Sequence, residues 1–355
     1  MPTISGFRFS LVFTIAFAGI ALGCSTNDVT PPRTSTGTGG SAGSSGGTDA
    51  ATPGTGGNAP DPQTGGTGGT APAGGSGGGR PVDAAPMTGD ATNTPTADAM
   101  VSPSDAAKPS AGCGKPATQP LGRYVRKNIM VGTRPRDYSI YLPQGYDPMR
   151  PYRLVFLGHG CGGNGGVPFP FETASKGDAI IVGMDAVGPC FDVNGGMSTE
   201  LPYFDQALQE MSDTTCVDRN RVFMAGFSAG SWLANLLGCA RADVLRGQGN
   251  AEGNLPPIPA CKGPIAAMMA HDENDTANAI AGSIRARDRL IAINGCSQQT
   301  LPYAYDGNPA TPSPCVIYQG CMPGYPVVWC PTRGKGHSPQ VPLTTVGLWR
   351  FWSQF

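Results

Sequence analysis

The sequence predicts an α/β fold, a mostly parallel central sheet with helices on both faces, and three observations carry that prediction. Short apolar runs alternate with segments of helical spacing. Several of those runs end in Gly-rich turns rather than hairpin turns. Every Leu, Ile, Phe, Tyr and Trp beyond residue 24 lies in residues 113–355, so one stretch of chain holds all the material for a core.

The elements follow in order. Tyr124 to Val131 and Arg136 to Leu142 alternate as two strands joined by the turn Gly132-Thr133-Arg134-Pro135. Arg153 to Leu157 and Ala179 to Met184 are continuous apolar runs, the pattern of parallel strands buried on both faces. Leu201, Phe204, Leu208 and Met211 fall on one face of a helix. A strand at Arg221 to Ala225 and a helix from about Ser228 to Ala240 come next. Then follow a strand at Ile265 to Ala270, a helix at Ile280 to Ile293, a strand at Val327 to Cys330 and a closing helix at Leu343 to Trp352. In such sheets ligands sit at the carboxyl ends of the strands.

Of the 355 residues, positions 25–112 contain no Leu, Ile, Phe, Tyr, Trp or Cys. Nothing there offsets the entropy of ordering the backbone, so this Gly/Thr/Pro/Ala-rich segment is expected to be a disordered linker. Residues 113–355 form one domain of ordinary size. The linker carries seven Asp against two Arg and one Lys, and the domain 20 Lys plus Arg against 18 Asp plus Glu. Neither balance, nor any basic stripe, supports a nucleic-acid partner.

Ahead of the linker, Arg8 precedes an apolar run from Phe9 to Leu22, shorter than the roughly 20 residues that a spanning helix needs. Residues 1–24 read as a signal peptide. Ala21-Leu22-Gly23-Cys24 is similar to a bacterial lipoprotein box, with Cys24 as the lipidation site, and Ala16-Phe17-Ala18 offers ordinary cleavage as the alternative. Either way the mature protein is expected to be exported, lipid-anchored at the cell surface or extracellular. Of 11 Cys, the ten other than Cys24 lie between Cys113 and Cys330. An even number in an oxidising compartment points to disulfides, with no Cys-x-x-Cys knuckle to suggest zinc.

The chemistry is concentrated at Gly226-Phe227-Ser228-Ala229-Gly230. An apolar strand runs into it and a helix-compatible stretch runs out, the setting in which a serine is exposed on a strained strand-to-helix turn. Glycines on either side let strand and helix approach. A serine hydroxyl needs a base, and the base a carboxylate. With three histidines in the chain, and the order serine, acid, histidine, His159 is out. Between Ser228 and His271 the only acids are Asp243 and Glu252, in polar, exposed-looking stretches. His337, in the loop Gly334-Lys335-Gly336-His337-Ser338-Pro339, is the preferred base. Asp275 is preferred as the acid and Asp272 is the alternative. The loop His159-Gly160-Cys161-Gly162-Gly163 after the third strand is suited to an oxyanion donor from Cys161 or Gly162, with Ala229 supplying the other. Trp232, Phe169 and Tyr325 are candidates to line an aryl or sugar pocket, against a core role for Trp232.

These stretches, with Tyr141-Leu142-Pro143-Gln144-Gly145-Tyr146, Val217-Asp218-Arg219-Asn220-Arg221-Val222, Ala286-Arg287-Asp288-Arg289 and Asn294-Gly295-Cys296, resemble the secreted α/β-hydrolases that include polyhydroxybutyrate depolymerases and feruloyl and acetylxylan esterases. The resemblance implies the α/β-hydrolase fold and an esterase that uses no cofactor. It also implies Asp275 as the triad acid, from the match of His271-Asp272-Glu273-Asn274-Asp275 to a His-Gly-x-x-Asp segment. Asp272 stands where Gly is usual, which keeps it as the alternative acid. The expectation is a monomeric serine carboxylesterase that works through an acyl-enzyme on ester-bearing polysaccharide, a feruloyl or acetylxylan esterase. A polyester depolymerase is the alternative substrate reading. A non-catalytic polysaccharide-binding surface lipoprotein is the alternative of another class.

Overall fold

A computed structural model describes residues 106–165, 169–256 and 260–355. The signal peptide, Cys24 and nearly all of the linker lie outside the described residues. Ten strands, β1 (Tyr124–Val131), β2 (Arg134–Tyr141), β3 (Tyr152–Gly158), β4 (Ala179–Met184), β5 (Val217–Phe227), β6 (Gly247–Ala251), β7 (Ala266–Asp272), β8 (Thr300–Pro302), β9 (Val316–Tyr318) and β10 (Val327–Thr332), form one sheet. The helices are α1 (Phe171–Ala174), α2 (Glu200–Thr214), α3 (Ala229–Ala240), α4 (Ala281–Ile293) and α5 (Leu348–Ser353).

The sheet order is β1-β2-β4-β3-β5-β6-β7-β10-β9-β8. From β4 to β10 every neighbour is parallel, and an antiparallel pair closes each edge. This is the α/β-hydrolase order. The chain leaves β3 first towards β4 and then returns to β5 on the other side of β3. Successive connections therefore diverge at the carboxyl ends of β3 and β5 and open a crevice there.

Side chains alternate between two cores. Leu154, Phe156, Val222 and Met224 face a cluster shared with α2, α3 and α4, whereas Val155, Leu157, Phe223 and Ala225 face one shared with α1 and α5. Covered on both sides, the central strands need continuous apolar runs, which is why they were legible.

The elements that composition does not announce are β6, β8, β9 and α1. The β6 run, Gly-Gln-Gly-Asn-Ala, has no β-branched residue, yet it is fully buried. Its glycines make room for other elements: a Cβ on Gly249 would lie 2.6 Å from the Leu348 side chain. Its polar side chains satisfy one another, Gln248 Nε2 donating to Asn235 Oδ1 at 3.1 Å and Asn250 Oδ1 at 3.0 Å. The expected closing helix is divided, a π-type turn over Leu343–Gly347 preceding α5. The folded body also begins before Cys113. The Lys108 amide donates to Asp218 Oδ1 and the Ser110 amide to Val217 O, both at 2.9 Å, so backbone hydrogen bonds dock a segment that lacks the apolar bulk to reveal itself.

All ten cysteines of this region pair, as Cys113–Cys216, Cys161–Cys190, Cys239–Cys261, Cys296–Cys321 and Cys315–Cys330. Five disulfides are consistent with export to an oxidising compartment. Among the described residues no helix is long and apolar enough to cross a membrane.

At the β5–α3 junction backbone packs closely on backbone. A Cβ on Gly226 would stand 2.0 Å from Gly230 O, whereas one on Gly145 would meet nothing within 4 Å. Gly226→Ala should therefore lose about 1–3 kcal/mol in urea unfolding, the usual cost of overpacking, with Gly145→Ala within about 0.5 kcal/mol of the parent.

Candidate active site

Ser228 stands between β5 and α3 with φ 55° and ψ −118°, a left-handed conformation that costs a side chain of this kind on the order of 1–3 kcal/mol. The surroundings enforce it. Its amide donates to Ala251 O at the end of β6 (2.9 Å). Gly230 presses α3 against β3, where an added Cβ would lie 2.0 Å from Gly158 O. The serine is 8% exposed, at the crevice between the ends of β3 and β5.

The loop after β3 closes over it. A Cβ on Gly160 would be 3.3 Å from Ser228 Cβ and 3.1 Å from the Phe227 ring. His159, outside the serine–acid–histidine order, shapes this loop from below. Its Nε2 accepts from the Ala186 amide at 3.2 Å, leaving Nδ1–H to donate to Gly160 O at 2.7 Å. The Gly162 amide donates to Pro189 O at 2.6 Å, beside the Cys161–Cys190 disulfide. That corrects the expectation for Gly162: its N–H anchors the loop and is spent. Among the described residues the amides of Cys161 and Ala229 have no backbone acceptor.

His337 packs against Phe227, the residue before Ser228, with ring centroids 4.9 Å apart and the ring planes tilted by 39°. Its Nδ1 is 2.7 Å from Asp275 Oδ2, which fixes that nitrogen as the donor and leaves Nε2 able to accept a proton. Among the described residues no hydrogen bond joins Ser228 Oγ to His337; such bonds commonly tighten only when substrate is bound. Asp275 Oδ1 accepts from the amides of Ala277 and Asn278 at 2.8 and 2.9 Å. Burial raises the Asp275 carboxyl, but the Asn278 amide, His337, Glu252 and the Ala277 amide together hold it below the ordinary carboxylate range.

Asp272, the alternative acid, has another role. Its Oδ2 accepts from Thr332 Oγ1 and the Lys335 amide, both at 2.9 Å, and its Oδ1 from the Asn274 amide at 2.9 Å. It ties the loop that carries His337 to the end of β7. Burial raises its carboxyl, and the Lys335 and Asn274 amides, Thr332 and Gly336 outweigh that and hold it low. His271 is sealed in, its Nε2 2.8 Å from Asn278 O and its Nδ1 2.7 Å from Ser283 Oγ.

Two sequence expectations are corrected here. Glu252, read from its polar neighbours as exposed, is 0% exposed, because the chain turns inward at φ 53° after β6. Phe169 is fully buried in the core. Tyr325 precedes β10, at the end of the sheet opposite Ser228, where it packs near Arg246; neither aromatic lines the crevice. Trp232 is partly buried against the α2–α3 core.

The chain resembles feruloyl esterase D of Neurospora crassa, at 33% identity across 70% of this chain and 92% of that protein. It also resembles feruloyl esterase C of Emericella nidulans, at 31% identity across 58% of this chain and 74% of that one. The acetyl xylan esterase of Aspergillus awamori superposes along its whole length on 65% of this chain, at 14% identity and a TM-score of 0.48. No family model matches.

Asp272 titrates below the unfolded value near 3.9, so its stabilisation is complete above that pH and is lost as pH falls through the lower folded value. Asp272→Asn should accordingly be less stable than the parent at neutral pH, by about 1–3 kcal/mol for lost hydrogen bonds to a charge. In urea titrations the gap should narrow from about pH 5 to about pH 2. A gap independent of pH would refute the assignment.

Proposed function

Since the chain belongs to the feruloyl esterase family that includes the Neurospora crassa enzyme and is a carboxylesterase, we propose that it cleaves feruloyl or acetyl esters on plant cell-wall xylan through Ser228, His337 and Asp275. The observation that carries the triad is His337, anchored by Nδ1 on Asp275 and packed against the residue next to Ser228.

In this reading Ser228 Oγ attacks the ester carbonyl as His337 Nε2 takes its proton. Asp275 holds the other ring nitrogen and offsets the imidazolium charge. The carbonyl oxygen, now negative, lies against the amides of Cys161 and Ala229, which are fixed in place and need no reorganisation. His337 returns the proton to the departing alcohol, leaving an acyl-serine. Water, activated by the same imidazole, then attacks the acyl carbon, and the acid leaves with Ser228 restored. The relatives' names support the feruloyl acyl group; a polyester substrate remains the alternative that the same chemistry would serve.

Export and attachment by a lipid on Cys24 would place the domain outside the cell at the end of a Gly-rich tether, with reach towards an insoluble polysaccharide. Monomeric action fits a site built within one chain.

An organophosphate should label the protein on Ser228, and Ser228→Ala or His337→Ala should lower kcat on methyl ferulate by roughly 10⁴-fold or more. Absence of an adduct would favour a non-catalytic binder. Release of ferulate from arabinoxylan should exceed release of monomer from a polyester film; the reverse ranking would move the substrate to the polyester class. Cys24→Ala should shift the protein from the membrane fraction to the medium.

A further inference from the structure

Glu252 is a buried titratable group that the ester-cleavage steps leave unused. Elements distant in sequence converge on it. The Asp272 amide donates to both of its oxygens, at 3.0 Å to Oε1 and 3.2 Å to Oε2. Gln340 Nε2 donates to Oε1 at 2.5 Å. Asn278 Nδ2 donates to its main-chain carbonyl at 2.9 Å. Its carboxyl lies within 4.8 Å of the Asp275 carboxyl, and His271 Nε2 faces both, 3.3 Å from Glu252 Oε2 and 3.4 Å from Asp275 Oδ2. Both Glu252 and Gln340 adopt left-handed backbone, φ 53° and 59°, strain that a surface acid would have no reason to bear.

Two carboxyl groups this close and away from water resist both being ionised. The partners decide which one keeps the proton. Asp275 has two amides and His337 to stabilise its charge. The other groups that face Glu252 leave it none of comparable strength. His271, from β7, has its Nε2 3.3 Å from Glu252 Oε2, but burial holds its pKa below the ordinary value and its Nε2 lies 2.8 Å from Asn278 O. Asp272 presents an amide to Glu252, while its carboxylate turns to Thr332 and Lys335. His337 reaches the cluster only through Asp275. Burial first, and Asp275 second, push the Glu252 carboxyl up to about 9.

We infer that Glu252 is a positioning residue: as a neutral acid it donates a hydrogen bond to the Asp275 carboxylate and holds that carboxylate on His337 Nδ1. This rests on the triad proposed above. Oε1 takes the shorter bond from the Asp272 amide and the bond from Gln340, so it stays the acceptor and Oε2 is the oxygen assigned the hydrogen. Loss of that proton puts two negative carboxylates in contact, and their repulsion turns Asp275 off the imidazole.

The test is the pH profile of kcat on methyl ferulate, from about pH 6 to about pH 10.5, for the parent, Glu252→Gln and Glu252→Leu. The parent should lose kcat as pH rises through about 9. Glu252→Gln, whose amide donates but does not titrate, should keep the neutral-pH kcat within about threefold and lose this alkaline limb. Glu252→Leu should lower kcat about tenfold or more at little cost in KM, the worth of one hydrogen bond to a charged group. An alkaline limb unchanged in Glu252→Gln, a parent with no such limb, or a full kcat in Glu252→Leu would each overturn the assignment. Should Glu252→Leu not fold, the Gln profile decides by itself.

A parent with no esterase activity would defeat the function reading instead, and the proton is then read from stability. A carboxyl titrating above its unfolded value binds its proton more tightly in the native state. Unfolding stability therefore falls as pH rises between about 4.3 and about 9. Glu252→Gln should remove that decline; a decline equal in both proteins would overturn the assignment.

Discussion

The active-site geometry depends on a steric constraint at the meeting point of three backbones. Gly158 on β3, Gly226 on β5 and Gly230 on α3 approach so closely that a methyl group on any of them would enter a neighbour's backbone. That contact forces the turn at Ser228 to be sharp, and the sharp turn lifts the hydroxyl out of the sheet into the crevice. The strain at φ 55° is sustained because β6 holds the turn through Ala251 and the two cores clamp the flanking strand and helix.

Around that turn, acids of similar chemistry have different tasks because their partners differ. Asp272 collects main-chain amides and a threonine hydroxyl, stays charged and anchors a loop. Asp275 collects two amides and an imidazole, and these hold its carboxyl low. Glu252, beneath both, has burial and a neighbouring carboxylate as its main influences, and is driven neutral. No side chain here is unusual. The amides of turns hold the two aspartates charged, whereas burial and the neighbouring carboxylate raise Glu252.

The loop after β3 has the same character. His159 is a histidine at an active-site loop that does no proton chemistry in the proposed mechanism; its two nitrogens satisfy a main-chain donor and a main-chain acceptor. The Cys161–Cys190 disulfide and the Gly162 amide hold the loop to the segment after β4. The Cys161 amide next to them is thereby positioned by a covalent bond as well as by hydrogen bonds.

The central strands, the sharp strand-to-helix turn at Ser228, and His337 and Asp275 as candidates with Asp272 as the alternative acid, were legible in the sequence, for reasons that are local or ordinal. Continuous apolar runs mark strands buried on both faces, glycines flank the one serine whose turn needs them, and three histidines leave few choices. The preference for Asp275 drew on family resemblance as well. The identity of the spent donor at Gly162, the anchoring task of Asp272, the burial of Glu252 and the existence of β6 were not legible. Each follows from contacts between segments far apart in the chain, where a small or polar residue is buried because something distant satisfies it. Composition and spacing determined which groups are available for chemistry; only the tertiary structure decided which hydrogen bond each one makes, because a polar group's partner is set by position in space and not by its neighbours in sequence.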